Sequence, residues 1–304
     1  MTYGSPASLE RPDIAAYLAR VRGGRPPDPD LVDEFARRYR LIGGSPLIEI
    51  TRRQAAALSS MLGWPVEVGM RFSEPSLAAG LGELGRAGVT RVAGIVLSPQ
   101  YSPLLMGGYS TAIVEARASL GGYSPEVAVA GAWHREPAFV AALAGRIREA
   151  LAKLAPADRH GAHVLLTAHS LPRRVAEREP DYLGQLSATA DDVAAAAGLD
   201  ADAWTFCWQS AGHEPGEWMK PDFADVMPEI AAAGGRAAVV APVQFLADHL
   251  EVLYDVDVGA REQAEAHGLS FQRIRSLNDD PGVIEALAAV ARGTLSYQPV
   301  PASA

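Results

Sequence analysis

The chain has 304 residues, of which 27 are Lys or Arg and 36 are Asp or Glu, so its formal net charge is −9. An acidic chain repels phosphate backbones, which argues against non-specific nucleic-acid binding, and no nucleic-acid partner is expected. Cys207 is the only cysteine, which excludes an intramolecular disulfide and an iron–sulfur cluster held by cysteines.

Short apolar runs rich in β-branched residues alternate along the chain with longer alanine-rich segments. The apolar runs predict strands at 66–70, 91–97, 126–132, 163–167, 204–208 and 237–241. The other segments predict helices at 12–21, 29–40, 45–62, 76–87, 111–120, 137–154, 185–197, 222–233, 245–254 and 282–291. Strands that are apolar throughout and separated by helices indicate an α/β fold with parallel sheets covered on both faces.

Polar residues follow several predicted strands at the carboxyl end, where ligands bind in such sheets. They include Ser98, Gln100, His169, Ser170, Gln209, Ser210 and Gln244. The similarity of residues 97–101 to residues 241–245 favours two related halves, and Pro156 marks the natural boundary. We predict two doubly wound domains, an N-terminal half at 1–155 and a C-terminal half at 156–304.

Membrane and export segments are not expected. No stretch reaches the ~18 consecutive apolar residues of a membrane span, and the first residues lack the basic start and apolar run of a signal peptide. We therefore predict no membrane span and a cytoplasmic location.

Several common catalytic motifs are missing from the sequence. It has no phosphate-binding G-x-x-x-x-G-K-[ST] loop, no G-x-G-x-x-G after a strand, no H-E-x-x-H and no G-x-S-x-G. This argues against phosphate-loop NTPases, dinucleotide-dependent dehydrogenases, zinc proteases and α/β-hydrolases. The glycine pairs, among them Gly107–Gly108, predict tight turns.

Two groups of residues suggest chemistry. His169 at a strand end is placed for proton transfer or metal ligation, or it simply hydrogen-bonds its neighbours. In the acidic segment 248–257, a helix would put Glu251 and Asp255 on one face. Such a row of carboxylates could conduct cations or protons inward, or it could be a solvated acidic surface. The residues alone leave both alternatives open.

Motifs spread along nearly the whole chain resemble the ferrochelatase family, and most closely its coproporphyrin-type members. The matching segments are Tyr3-Gly4-Ser5-Pro6, Gly24-Arg25-x-Pro27, Arg38-Tyr39-x-x-Ile42-Gly43-Gly44-Ser45-Pro46-Leu47, Ser98-Pro99-Gln100-Tyr101-Ser102, Gly108-Tyr109, Ala168-His169-Ser170-Leu171-Pro172, Trp208-Gln209-Ser210, Trp218-Met219-x-Pro221-Asp222 and Asp248-His249-Leu250-Glu251-Val252-Leu253-Tyr254-Asp255. Each is short, but together their order and spacing are specific.

The resemblance implies an enzyme that inserts Fe²⁺ into a porphyrin, in a cleft between the two domains, with release of two protons. His169 and Glu251 match the family's histidine and carboxylate, which bind iron or accept protons. Asp255 and Asp257 would continue an acidic cation or proton path outward. No cofactor beyond the substrate Fe²⁺ is expected, and the enzyme is expected to act as a monomer.

Coproporphyrin III carries four propionates, so the cleft should present cations and hydroxyls. By position in the family motifs, Arg22, Arg38, Tyr39, Ser45 and Tyr109 match substrate-contacting residues. Arginine suits this role because its planar fork can bind a carboxylate through two hydrogen bonds. Tyr3 matches a tyrosine that approaches the iron from the face opposite His169.

Three departures from the family pattern bear on these expectations. Gly259 stands where the family has a further glutamate, so an outer cation site is not expected there. His213 is a possible extra metal ligand or an exposed loop residue. Only Met1 and Thr2 precede the tyrosine motif, where relatives have a strand, so we expect the native N-terminus to lie upstream.

Other functions remain open from the sequence. The chain could act on protoporphyrin IX, insert another metal into a related tetrapyrrole, or bind haem or a porphyrin without catalysis. Retention of both His169 and Glu251 argues against a simple binder, because binding alone does not require a paired base and carboxylate.

Overall fold

In the computed structural model, residues 1–212 and 216–296 are described. The helices are α1 (Arg11–Val21), α2 (Pro29–Leu41), α3 (Leu47–Leu62), α4 (Leu77–Arg86), α5 (Pro103–Ser119), α6 (Pro137–Lys153), α7 (Pro156–Arg159), α8 (Arg173–Ala176), α9 (Pro180–Ala197), α10 (Phe223–Ala232), a π-helix (Glu251–Ala260), α11 (Arg261–Ala266) and α12 (Pro281–Ser296). The strands are β1 (Arg91–Gly94), β2 (Glu126–Val129), β3 (Ala162–His169), β4 (Trp204–Gln209), β5 (Ala237–Pro242) and β6 (Ser270–Arg273).

The larger of the described sheets lies in the C-terminal half. Its strands are parallel in the order β4-β3-β5-β6. Alternate residues of β3 and β5 point to opposite faces: Val164 and Val239 join one hydrophobic cluster with α6, α9 and α12, whereas Leu165 and Val240 join another with α10 and α11. Both faces are therefore covered, as the uniformly apolar strands predict, and the α/β class is confirmed.

The N-terminal half is organised around the parallel pair β1-β2. The start of the chain runs alongside β1: the amino group of Met1 donates to Ile95 O at 2.7 Å, and Leu97 N donates to Met1 O at 2.9 Å. On its other side, Arg71 N donates to Thr2 O at 2.9 Å and Phe72 N to Tyr3 O at 3.0 Å. These bonds place Tyr3 at the carboxyl end of β1.

Several predicted elements are wrong in type or extent. Residues 66–70 do not form a strand, since only Met70 bridges a neighbouring segment, at Thr2 and Ser76, and a strand requires a paired neighbour. Strand β6 was not predicted, because its sequence, Ser-Phe-Gln-Arg, is largely polar.

Helix α5 begins eight residues earlier than the sequence predicts, at Pro103 rather than at residue 111. The Ser102 side chain accepts a hydrogen bond from Leu105 N at 3.0 Å, and proline follows at the first helical position, both typical of a helix start. Gly107 and Gly108 consequently lie inside the helix, so the turn predicted for this pair is wrong.

The predicted helix at 245–254 is wrong in its first half and in its type. Residues 245–249 are not helical, and a π-helix follows from Glu251. The side chain and backbone of Asn278 account for the difference. Asn278 N donates to Leu246 O at 2.7 Å, and Asp248 N donates to Asn278 Oδ1 at 2.9 Å, so these backbone groups are engaged outside any helix.

The two predicted halves are linked by their helices. α12, near the end of the chain, packs against α3 and β1 of the N-terminal half as well as against α6. The predicted boundary at residue 155 lies in the short link between α6 and α7, and its position stays a prediction. Across the described residues, no helix combines the length and apolar character needed to cross a bilayer.

Candidate active site

A cleft of about 760 Å³ lies between the two halves. Its C-terminal wall contains the carboxyl ends of β3, β4 and β5 together with the π-helix, and its N-terminal wall contains residues of α1, α2 and α5. This position is the one at which parallel sheets place their ligands, and the volume lies within the ordinary range for small-molecule sites.

His169 is the last residue of β3 and faces this cleft. Its backbone N donates to Gln244 Oε1 at 2.8 Å, and its ring Nδ1 lies 2.5 Å from Ser170 O. A carbonyl oxygen can only accept a hydrogen bond, so Nδ1 carries the proton in the neutral ring. The lone pair of Nε2 is therefore free for a metal ion or a proton.

Glu251, the first residue of the π-helix, faces His169. Its Oε2 lies 3.6 Å from His169 Nε2, beyond hydrogen-bond distance. Oε2 is buried and accepts no hydrogen bond from the described residues. The geometry thus presents two basic atoms side by side at the cleft, and neither is hydrogen-bonded to another side chain among the described residues.

A permanent metal centre would need more ligands than this pair. Within residues 1–212 and 216–296, no group of three or more His, Cys, Asp or Glu side chains could hold a metal ion. An imidazole and a carboxylate suit Fe²⁺, and two ligands fit an ion in transit better than one stored in the protein. His213 lies outside the described residues.

Asp255 lies one π-helical turn beyond Glu251 and also lines the cleft. Burial raises the pKa of Asp255, although a hydrogen bond with Ser210 and the charge of Arg38 act against this increase. Ser210 has a φ of 58°, a left-handed conformation that is uncommon for residues other than glycine and that often occurs at functional sites.

Asp257 does not join Glu251 and Asp255 in the cleft. It lies six residues after Glu251 and is not among the lining residues, and its carboxylate accepts two hydrogen bonds from Arg273, at 2.7 and 2.9 Å. Arg273 also lies 3.2 Å from Asp248 Oδ1, which accepts a hydrogen bond from Ser276. This buried network joins both ends of the segment that carries Glu251.

We expect Arg273→Met to lower the free energy of unfolding by about 3 kcal/mol, because it leaves two largely buried carboxylates without their cation. The Arg273 side chain is only 13% exposed. Chemical denaturation measures the effect. The control is Arg275→Met, which breaks an exposed ion pair with Glu149 and should cost less than about 1 kcal/mol; equal losses in the two variants would contradict the role given to the network.

Tyrosines form much of the N-terminal wall. The rings of Tyr3 and Tyr109 meet edge to face with centroids 6.4 Å apart, and Tyr39 lies in the same cleft. Burial raises the pKa of Tyr3, Tyr39 and Tyr109. These phenols therefore stay neutral and can donate hydrogen bonds to an anionic ligand.

The remaining residues matched to substrate contacts are placed differently. Arg38 lines the cleft, where its Nε lies 2.7 Å from Glu34, its Nη1 lies 3.6 Å from Asp255 and its guanidinium lies over the Tyr254 ring. Ser45 also lines the cleft, whereas Arg22 is exposed at the end of α1 and is not among the lining residues.

Two residues behind His169 are not identified from the sequence as site residues. Gln244 accepts from His169 N and donates to the buried hydroxyl of Tyr182 at 2.5 Å, so it fixes the end of β3. The position of Gln244 just after β5, at the carboxyl end of the strand, is a sequence signal that could have identified it. No comparable feature points to Tyr182, which reaches Gln244 from α9 only in the folded chain.

Comparisons with known proteins identify the family of this chain. A family model described as Ferrochelatase matches residues 1–295. The chain is 35% identical over 301 residues to a protein named Ferrochelatase from Herpetosiphon aurantiacus, covering 96% of this chain and 97% of that one. It is 34% identical over 299 residues to a Coproporphyrin III ferrochelatase from Bacillus subtilis, with coverages of 95% and 94%.

Solved structures show the same fold at much lower sequence identity. SirB from Bacillus subtilis with Fe³⁺ aligns with a TM-score of 0.61 and 15% identity, covering 81% of this chain and 88% of that one. At this identity the similarity demonstrates a shared two-domain α/β architecture and nothing about the substrate.

Proposed function

This chain belongs to the ferrochelatase family of metal chelatases, and from that premise we propose that it inserts Fe²⁺ into coproporphyrin III. The observation that carries the proposal is the pairing of His169 Nε2 with Glu251 Oε2, 3.6 Å apart at the cleft. In this proposal Fe²⁺ is a substrate, no further cofactor is required, and the enzyme acts as a monomer in the cytoplasm.

The reaction needs a base because pyrrole N–H groups are very weak acids, and it needs the iron to lose part of its water shell. The porphyrin nitrogens lose two protons as the two metal–nitrogen bonds to those nitrogens form. His169 and Glu251 provide two lone-pair donors at one place, so they can hold the iron or accept protons. Asp255, whose pKa burial raises, lies next on the same helix face and is suited to pass a proton or cation onward.

Coproporphyrin III is proposed as the substrate because the cleft offers groups that suit carboxylates. Arg38 provides a cation, and Tyr39, Ser45 and Tyr109 provide hydroxyls. Similarity to the Bacillus subtilis coproporphyrin III ferrochelatase supports the same choice. Relatives named only Ferrochelatase are equally similar, so protoporphyrin IX is the competing substrate.

The decisive experiment is anaerobic incubation of the purified protein with Fe²⁺ and either coproporphyrin III or protoporphyrin IX, followed by absorption spectroscopy. We expect the spectrum of the metallated product with coproporphyrin III and slower conversion of protoporphyrin IX. Faster conversion of protoporphyrin IX would reverse the choice of substrate. A spectrum that shows bound but unmetallated porphyrin would identify a binding protein, and insertion of Co²⁺ but not Fe²⁺ would identify a different chelatase.

Replacing Arg38 tests the proposed recognition of propionates. We expect Arg38→Ala to raise KM for coproporphyrin III about tenfold, because a hydrogen-bonded charge contributes roughly 1.5–3 kcal/mol. Steady-state kinetics measure the change, and Arg40→Ala, on the exposed side of the same helix, is the control. An unchanged KM in Arg38→Ala would remove the propionate contact from the proposal.

A further inference from the structure

One arginine lies next to Tyr3 and Tyr109, two residues that line the N-terminal wall of the cleft. Arg71 lies beside Tyr3, because Arg71 N donates to Thr2 O at 2.9 Å. Its guanidinium carbon lies 4.7 Å from the centroid of the Phe72 ring and 5.4 Å from that of Tyr109. Throughout the part of the chain that the structure describes, no carboxylate forms an ion pair with it, although aspartate and glutamate outnumber the cationic residues.

Helix α5 leaves space for this guanidinium at Gly108. Gly108 lies within α5, and a Cβ added there would come within 1.7 Å of Arg71 Nη2. Any side chain at this position would therefore displace the cation. The absence of a side chain at Gly108 leaves room for the guanidinium next to Tyr109, which lines the cleft.

The contacts of Arg71 leave its hydrogen-bonding groups available. Aromatic rings attract a guanidinium through its charge, and the five N–H groups of arginine lie in the plane of the group at its edge. Arg38 differs, since Glu34 and Asp255 already balance its charge, at 2.7 and 3.6 Å. Of these two cations, Arg71 therefore gains more from an incoming carboxylate.

We propose that Arg71 binds a propionate carboxylate of the porphyrin at the edge of the cleft beside Tyr3 and Tyr109. This inference rests on the proposed function, and it adds an anchor for the substrate that no family motif quoted above includes. Arg38 stands on α2 against the π-helix, whereas Arg71 stands beside α5, so the two cations hold the substrate from different elements of the N-terminal half.

The test is the variant Arg71→Met, which keeps the length of the side chain and removes its charge. We expect KM for coproporphyrin III to rise about tenfold while kcat changes less than about twofold, since the residue does not touch the reacting atoms. Arg71→Lys retains the charge and should recover most of the affinity. Arg86→Met, which alters an exposed residue of α4, is the control and should leave KM unchanged.

Equilibrium binding separates this inference from the proposed function. Fluorescence titration with metal-free coproporphyrin III gives a Kd without turnover, so a wild-type protein that binds but does not insert iron would refute the function while still testing Arg71. A Kd and KM unchanged in Arg71→Met would overturn the inference, as would a lower kcat at unchanged KM, which indicates a packing role. Should Arg71→Met fail to fold, the same comparison is made with Arg71→Gln.

Discussion

Replacing His169 with alanine is expected to lower kcat for iron insertion by about 10³-fold, within the range of 10²–10⁴ that a positioned acid–base group contributes. The variant removes the Nε2 lone pair that faces the cleft. A water molecule in its place would be a weaker base and would not be held in a fixed position. Glu251 would remain, but one carboxylate cannot both hold the iron and accept protons. Anaerobic stopped-flow absorption with coproporphyrin III and Fe²⁺ measures the rate.

The fold of His169→Ala should be preserved, because the contacts that fix this end of β3 come from the backbone. His169 N donates to Gln244, and Ser170 N donates to Gln209 O at 2.7 Å, and neither bond needs the imidazole. His267→Ala, at an exposed histidine outside the cleft, is the matched control. Turnover at the wild-type rate in His169→Ala would show that the imidazole takes no part in the reaction.

Replacing Glu251 with glutamine is expected to lower kcat at least 10²-fold while the protein stays folded. Glutamine has nearly the same shape as glutamate, but its amide is neither a base nor an anionic metal ligand at neutral pH. Glu251 Oε2 accepts no hydrogen bond from the described residues, so the fold does not depend on this oxygen. The substitution therefore changes the chemistry of the site and little else.

Single-turnover absorption under anaerobic conditions measures the effect of Glu251→Gln. The control is Glu262→Gln, which removes an exposed carboxylate of α11 and should leave the rate unchanged. If Glu251→Gln kept the wild-type rate while His169→Ala lost it, the carboxylate would be excluded as metal ligand and as base. We expect losses of similar size in both variants. When groups act as a unit, removing one of them costs about as much as removing all of them.

Most strands and helices could be predicted from the sequence, because burial leaves a recognisable pattern of apolar residues. Val164 and Leu165 face opposite sides of β3 and are both buried, so the strand reads as a continuous apolar run. Strand β6 could not be read in this way, because its residues are only partly buried. Residues 66–70 look like a strand but have few paired neighbours, and pairing is a property of the folded chain.

The site, too, could be predicted only in part from the sequence. The positions of His169 and Glu251 follow from the family motifs, and both side chains line one cleft. The expectation that Asp257 extends the acidic row does not match its position, because Arg273 on β6 binds its carboxylate. Arg71 and Tyr182 carry no recognisable motif, and their roles depend on side chains from distant elements.

By itself, the sequence determined the α/β class, the approximate strands and helices, and the residues able to do chemistry, because these depend on local composition and on motifs along the chain. Only the tertiary structure decided that the segment after Leu250 winds as a π-helix, that Asp255 faces the cleft while Asp257 pairs with Arg273, and that Arg71 lies against the rings of Phe72 and Tyr109. The reason is that ion pairing, burial and strand pairing depend on which distant residues meet, and these meetings arise only when the chain has folded.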